Sequence, residues 1–327
     1  MKSQKSVLIL GARGRLGLAT TRAFAQDGWR VHAQVRPDAR PPADPALPGV
    51  EWLRIDCQDT AALSRAAAGA QVIVHAMNPP YTHAQWRKQS PVLLAGAIRV
   101  AQSLQACLMY PGNVYNYGKA MPEVLREDTL QRADTVKGQI RLAMERRLAQ
   151  ATADGSLQAV VIRAGDFFGS GSGSWFDQLI ATRLKEGRMA YPGTMAVATP
   201  WAYLPDLAQC FVAVAAKRYL LRPFDTVHFA GHRLTGGDWQ QLLTSIAQAR
   251  GWLPEKAPLK TGTLPWGLIR LAGVVKPTWG ALAEMRYLWQ RPHRLDNRKL
   301  VTLLGAEPHT PLAVAVQTAV QALHGSP

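Results

Sequence analysis

Cysteine is scarce in this chain: Cys57, Cys107 and Cys210 are three residues in 327. They stand far apart and show no ligand spacing. Neither a disulfide framework nor a cysteine-built metal site is expected, and no metal is assigned. Three reduced core thiols suit a cytoplasmic protein. Long apolar runs are missing as well. No stretch approaches the roughly 20 residues that a spanning helix needs, and a first strand near Val7 leaves no room for a signal peptide. No membrane partner is expected. Acidic residues are few, 22 against 38 lysines and arginines, for a formal net charge of +16. That balance suits either an anionic small ligand or nonspecific nucleic-acid binding. There is no dense basic run, recognition helix or aromatic RNA-binding motif, so nucleic acid is disfavoured and a scattered basic surface is expected. Internal repeats and low-complexity tracts are absent too.

Glycine, by contrast, is concentrated where it has a chemical use. The segment Val7-Leu8-Ile9-Leu10-Gly11-Ala12-Arg13-Gly14-Arg15-Leu16-Gly17 is an apolar run that stops at a glycine, with two more glycines at intervals of three. A buried strand ending in such a turn, with a helix behind it, cradles a phosphate. Glycine permits the tight turn and the close approach of a pyrophosphate, and the free N–H groups of the helix start face the anion. Leu16, Ala19, Ala23 and Phe24 fall on one helical face, and Gly28 is a plausible stop. A dinucleotide site at Gly11, Arg13, Gly14, Arg15, Leu16 and Gly17 is therefore expected.

Strand and helix signals then alternate. Strands are predicted at 6–10, 29–35, 50–55, 71–76, 105–110 and 158–163, and helices at 15–27, 59–68, 84–106 and 134–153. Alternation of this kind predicts an α/β fold, a Rossmann-type doubly wound parallel sheet with the ligand crevice at the strand C-terminal ends. The stretch from Pro37 to Pro48 reads as a surface loop. After Arg163 the pattern changes: Gly165 to Gly173 reads as a loop near the site. Leu207 to Lys217 reads as a helix, and Thr226 to Ala230 as a return to the sheet. Residues 1–163 with 200–230 are assigned to the dinucleotide-binding domain. Residues 164–199 with 231–327 are assigned to a smaller, mostly helical substrate lobe.

An acidic residue at the end of strand two usually receives the adenosine ribose. Here that position is Arg36, 19 residues after Gly17, and a guanidinium suits a 2′-phosphate. Arg13 and Arg15 are candidates for the same clamp. This points to NADP; Asp38 beside the ribose keeps NAD possible.

The GxxGxxG spacing resembles that of the extended and atypical short-chain dehydrogenase/reductases, the superfamily that includes sugar-nucleotide epimerases and dehydratases. Arg54-Ile55-Asp56-Cys57-Gln58-Asp59 resembles its DxxD segment, which implies Asp56 and Cys57 beside the adenine, while Asp59 caps the next helix. His75-Ala76-Met77-Asn78-Pro79 matches the segment that lines ribose and nicotinamide, with His75 expected to pack in the core. The resemblance implies a catalytic serine, a general acid/base tyrosine and a lysine in a YxxxK helix. Aligning Tyr117-Gly118 with the family's Tyr-Gly puts Asn113 at the serine. Aligning Gly138 and Glu145 puts Lys137 at the tyrosine and Arg141 at the lysine, so KxxxR replaces YxxxK. A lysine lowered by about 3 pKa units through burial and neighbouring positive charge can serve as acid/base; a protonated one serves as an electrostatic clamp. Tyr115 and Tyr117 are further proton donors, Tyr117 the better placed by alignment, and Asn113 can orient a carbonyl. Asp166 falls where the family often has a substrate-binding asparagine. With it, Asn113, Tyr203 and Arg286 complete the candidate substrate contacts. Asp206 is expected to be structural, and Trp266, Trp279 and Trp289 to wall an apolar pocket or fill core.

The function expected is an NAD(P)-dependent oxidoreductase that reduces a carbonyl or activated alkene of a small molecule. A nonredox NADP-binding sensor or interaction protein is the alternative, and sugar-nucleotide epimerase or dehydratase chemistry a weaker one. Many relatives pair subunits through the helices that match 84–106 and 134–153, which implies a homodimer.

Overall fold

The structure, a computed structural model, describes residues 4–40, 47, 49–273 and 275–325. Much of the expected Pro37–Pro48 loop lies outside them. In chain order come β1 (Ser6–Leu10), α1 (Arg15–Gln26), β2 (Arg30–Val35), β3 (Val50–Arg54), α2 (Thr60–Ala66), β4 (Val72–His75), α3 (His83–Leu104) and β5 (Cys107–Gly112). They are followed by β6 (Val124–Leu125), α4 (Val136–Ala151), β7 (Gln158–Arg163), β8 (Asp166–Phe168), β9 (Arg188–Tyr191), β10 (Thr199–Tyr203), α5 (Leu204–Ala216), β11 (Phe224–His228) and β12 (His232–Leu234). The rest is α6 (Gly236–Ala249), β13 (Lys260–Thr263), α7 (Trp266–Ala272), α8 (Pro277–Glu284), β14 (Arg294–Leu295), α9 (Arg298–Leu304) and α10 (Leu312–His324).

Seven strands form one sheet in the order β11-β7-β5-β4-β1-β2-β3, every pair parallel. Every residue of Ser6–Leu10 is buried, as a strand covered on both faces requires. Val7 and Ile9 enter one core with Phe24 of α1 and Phe211 of α5; Leu8 and Leu10 enter the other with Leu63 of α2 and Ile98 of α3. The order reverses between β1 and β4, and a ligand crevice opens at such a switch point beyond the strand C-terminal ends.

Beyond the sheet, β12-β10-β8 form a three-stranded sheet and β13-β9 and β14-β6 two-stranded ones. The expected loop Gly165–Gly173 is thus corrected at its start, because Asp166–Phe168 pairs in parallel with Trp201–Tyr203. Tryptophans anchor two further cores. Trp201 and Trp239 pack with Phe168 and Phe176; Trp266 and Trp289 pack with Met285, Leu288 and, partly buried, Tyr81 and Tyr115. The second of these lies over the N-terminal ends of α3 and α4. Glu284, at the end of α8, accepts hydrogen bonds from the Val136 amide at 2.8 Å and pairs with His83 at 2.9 Å.

Candidate active site

The glycine segment forms a tight cradle. Gly11 has φ +78°, with Met77 against it, and a Cβ on Gly17 would lie 2.2 Å from the Gly11 carbonyl oxygen. No other residue allows α1 to start so close to the turn. The Gly11 amide donates to Gln34 Oε1 at 2.9 Å, and Gln34 Nε2 donates to the Ile55 carbonyl at 2.7 Å. One buried amide side chain thereby ties the cradle to β2 and β3. Gln34 was missed from sequence; β2 alternates polar Arg30, His32 and Gln34 with apolar residues, so nothing in the local pattern singled it out. The cradle opens into a crevice of about 990 Å³ whose lining includes Arg13, Arg36, Asp38, Asp56, Cys57, Ala76, Met77 and Asn78. A nicotinamide dinucleotide fits these residues: the closely spaced glycine backbone leaves room for a diphosphate, and the crevice runs from there to the ends of β2 and β3. Leu16 contributes backbone only, because its side chain is in the core. Arg36 is 80% exposed, 3.9 Å from Asp38. Arg15 is corrected as a member of that clamp. It turns the other way, toward the Gly173 backbone and the carboxylates of Asp177 and Asp166.

At the C-terminal ends of β4 and β5 an aromatic cage holds Lys137. The Nζ atom sits 3.9 Å from the ring centre of Tyr81 and 4.3 Å from that of Trp86. The side chain is fully buried, and Nζ has no hydrogen-bond partner among the described residues. Burial, helped by Arg141, lowers its pKa to about 8 against the opposing pull of Glu284. Lys137 is delivered there by the start of α4. Thr135 Oγ1 caps Gly138 at 3.1 Å, and a Cβ at Gly138 would lie 2.5 Å from the Tyr115 carbonyl oxygen. Farther along α4, Glu145 meets Arg163 of β7 at 2.7 Å in a buried ion pair. Arg141 points at Tyr110 and the Pro111 carbonyl.

A polar file leads away from the cage. The hydroxyl groups of Tyr81 and Tyr115 are 3.3 Å apart. Burial first, then Asp166, raises the Tyr115 pKa to about 12, so the phenol stays protonated. Asp166 Oδ2 accepts from Trp289 Nε1 at 2.8 Å; burial raises its pKa to about 6 despite that bond and the Arg15 charge. Two groups of this file, Lys137 and Asp166, therefore change charge within about two pH units of neutrality, the property that acid/base chemistry needs.

Residues 7–225 match the family model described as NAD dependent epimerase/dehydratase family. The chain belongs to this epimerase/dehydratase family. No curated protein matches it. Among solved structures it is similar to the Bordetella bronchiseptica enzyme WbmH in complex with NAD+, with 17% identity, TM-score 0.74 and coverage of 99% of this chain and 100% of that one. It is also similar to the UDP-Glc/GlcNAc 4-epimerase of Campylobacter jejuni, with 13% identity, TM-score 0.72 and coverage of 98% and 99%. A third is the UDP-glucose 4-epimerase of Thermotoga maritima with UDP-glucose, with 13% identity, TM-score 0.73 and coverage of 97% and 98%. At such identities the likeness is one of fold.

Against this epimerase/dehydratase background, four sequence assignments shift. Tyr117 is corrected: its hydroxyl lies 3.3 Å from His228 Nε2 and 3.4 Å from the Arg126 carbonyl, in the core with the Arg163 guanidinium 5.3 Å from the ring centre. Tyr115, two residues earlier, takes the place beside the cage. Asn113 keeps its place at the mouth of β5, but its Oδ1 is used to cap the 114–117 turn through the Tyr115 amide. Tyr203 is corrected from substrate contact to core, its ring wedged against Phe168 and Gly169. Arg286 is corrected too: it is exposed and lies over the Trp266 ring. Asp206 binds Thr310 through both carboxylate oxygens, a structural role.

Proposed function

We propose that this family member reduces a carbonyl group of a small, largely apolar molecule with NADPH, using Lys137 as the proton donor. The observation that carries the reading is the buried ammonium of Lys137, with no hydrogen-bond partner among the described residues and held by two aromatic rings. A substrate oxygen entering the cage would supply the acceptor that Nζ lacks. When bound, the reduced nicotinamide supplies hydride to the carbonyl carbon. Lys137 polarises the oxygen, then donates its proton as negative charge develops there, so that an alcohol forms. Tyr81 and Tyr115, protonated and in contact, link the cage to Asp166. Rings of Tyr81, Trp86 and Trp289 exclude water and favour an apolar substrate. The cradle holds the diphosphate, and Arg36 with Arg13 receives a 2′-phosphate. The Arg36–Asp38 pair is exposed and contributes little, about 0–1 kcal/mol, so it opens readily.

A second reading has its own support. The solved structures similar to this chain include sugar-nucleotide epimerases, which favours epimerisation or dehydration of a nucleotide-linked sugar. Asp166, bonded to Trp289 at the far end of the file from the cage and repulsive to a phosphate, weighs against it.

The test is turnover by the whole chain. NADPH consumption across aldehydes and ketones of increasing apolar size is expected for the parent and not for Lys137→Met. Conversion of UDP-glucose or UDP-N-acetylglucosamine instead would establish the second reading. Tight cofactor binding with no turnover of any of these would establish a nonredox sensor. For the cofactor, NADPH is expected to bind roughly tenfold or more tighter than NADH, a preference that Arg36→Ala abolishes. Equal affinities in the parent would reject the Arg36 assignment.

A further inference from the structure

The α7–α8 hairpin has two faces. Its inner face is spent on the core that walls the cage: Trp266, Ile269 and Ala281 are buried, and Trp266 Nε1 donates to the Pro192 carbonyl at 2.9 Å. Its outer face is apolar and uncovered. Leu268 is 66% exposed, Leu271 72%, Val275 82% and Trp279 41%, so that four of the large exposed apolar side chains among the described residues fall on this one hairpin. Such a cluster marks an interaction surface rather than ordinary surface chemistry.

Charge identifies the occupant. From Leu264 to Ala283 the sequence contains two charged residues, Arg270 and Lys276, and no acidic one. Both are exposed, and Lys276 Nζ lies 5.0 Å from the ring centre of Trp279. A second copy would bring this basic, apolar face toward another chain of net charge +16. An anionic bilayer offers the complement: headgroups for the two cations, acyl chains for Leu268, Leu271 and Val275, and the interfacial depth that tryptophan prefers. We propose that the α7–α8 hairpin docks this protein on the surface of an anionic lipid bilayer. The earlier expectation of no membrane partner rested on the absence of a span. Among the described residues no helix is long and apolar enough to cross a membrane, and an in-plane wedge needs none. The proposal stands whether or not the chain reduces carbonyls.

The experiment is co-sedimentation of the full chain with vesicles of phosphatidylcholine alone and of phosphatidylcholine with phosphatidylglycerol. Binding to the mixed vesicles is expected, weakened roughly tenfold or more by Leu271→Glu with Val275→Glu. Arg270→Glu with Lys276→Glu is expected to weaken it as well, through the lost attraction to anionic headgroups. These residues lie outside the dinucleotide crevice, so unchanged cofactor affinity certifies the fold. Should the double glutamate variant fail to fold, Leu271→Gln with Val275→Thr carries the same comparison. Three results overturn the proposal: no binding to either vesicle, equal binding by parent and apolar-face variants (adsorption by overall charge), or a light-scattering dimer that the apolar-face variant dissolves.

Discussion

Lys137 is stabilised for chemistry at the expense of the fold. Burial takes its pKa from 10.5 to about 8, which corresponds to a destabilisation of at most about 3 kcal/mol. The Tyr81 and Trp86 rings return part of it as cation–π attraction. Because the unfolded chain holds that proton more tightly, the penalty is complete below about pH 8 and fades as pH rises toward 10.5. Lys137→Met is therefore expected to raise the melting temperature at pH 7, with the gain shrinking above pH 8, while turnover disappears. A melting temperature that falls at pH 7 would instead make Lys137 a net structural residue. In the parent, the rate of reduction is expected to drop above about pH 8 as the donor loses its proton. Alignment of motifs singled out Lys137, Arg141, Asn113 and Asp166 as candidates; the structure puts Lys137 in the cage, turns Arg141 to Tyr110 and uses the Asn113 side chain as a cap. Alignment missed Tyr81 and Trp86, which lie more than fifty residues before Lys137, and it preferred Tyr117 over Tyr115. In the 114–117 turn, which of the two tyrosines faces the cage depends on the turn's rotation, and the rotation is set by packing.

At the scale of elements, local pattern was a good guide in the first half of the chain, whereas the long helices α6 and α10 were given no bounds from sequence. β1 and β7 match their predicted bounds, and α1 and α4 differ from theirs by at most two residues at either end. Caps explain this: Thr135 begins α4, Asp59 begins α2 through the Ala62 amide, and Gly28 at φ +76° ends α1. The three residues of β8 escaped because so short a strand carries no period, and only its partner β10 makes it one. The joint between β1 and α1 is the tightest part of the proposed cofactor site. Gly17→Ala places a methyl group 2.2 Å from backbone that cannot yield. Overpacking of that kind costs about 1–3 kcal/mol. A lower denaturation midpoint and at least a roughly tenfold loss of NADPH affinity are expected, read by chemical denaturation and fluorescence titration. Parent-like affinity in that variant would remove the cradle from the binding site.

The whole molecule stores sensitivity to acid. His75, His228 and His293 are buried, and burial lowers their pKa values to about 4, 3 and 4. Each is neutral in the fold and takes up a proton more readily when unfolded, so each contributes stability that is intact above about pH 6.5 and lost as pH falls toward 4, a few kcal/mol apiece at most. Asp166, Glu127 and Glu307, raised by burial, act in the opposite sense, and the observed slope is the difference. Melting temperature is expected to fall between pH 6.5 and 4.5, and less so in His75→Leu; a flat profile in the parent would contradict neutral burial of these rings. The doubly wound sheet, the tight glycine turn between β1 and α1 and the KxxxR helix were determined by the sequence alone, because each is written in the spacing of neighbouring residues. The aromatic cage, the turning of Arg15 toward Asp166, the retirement of Tyr117 and Tyr203 into the core and the bare outer face of the hairpin were decided only by tertiary structure. They depend on which side chains from distant segments meet, and no local period encodes that.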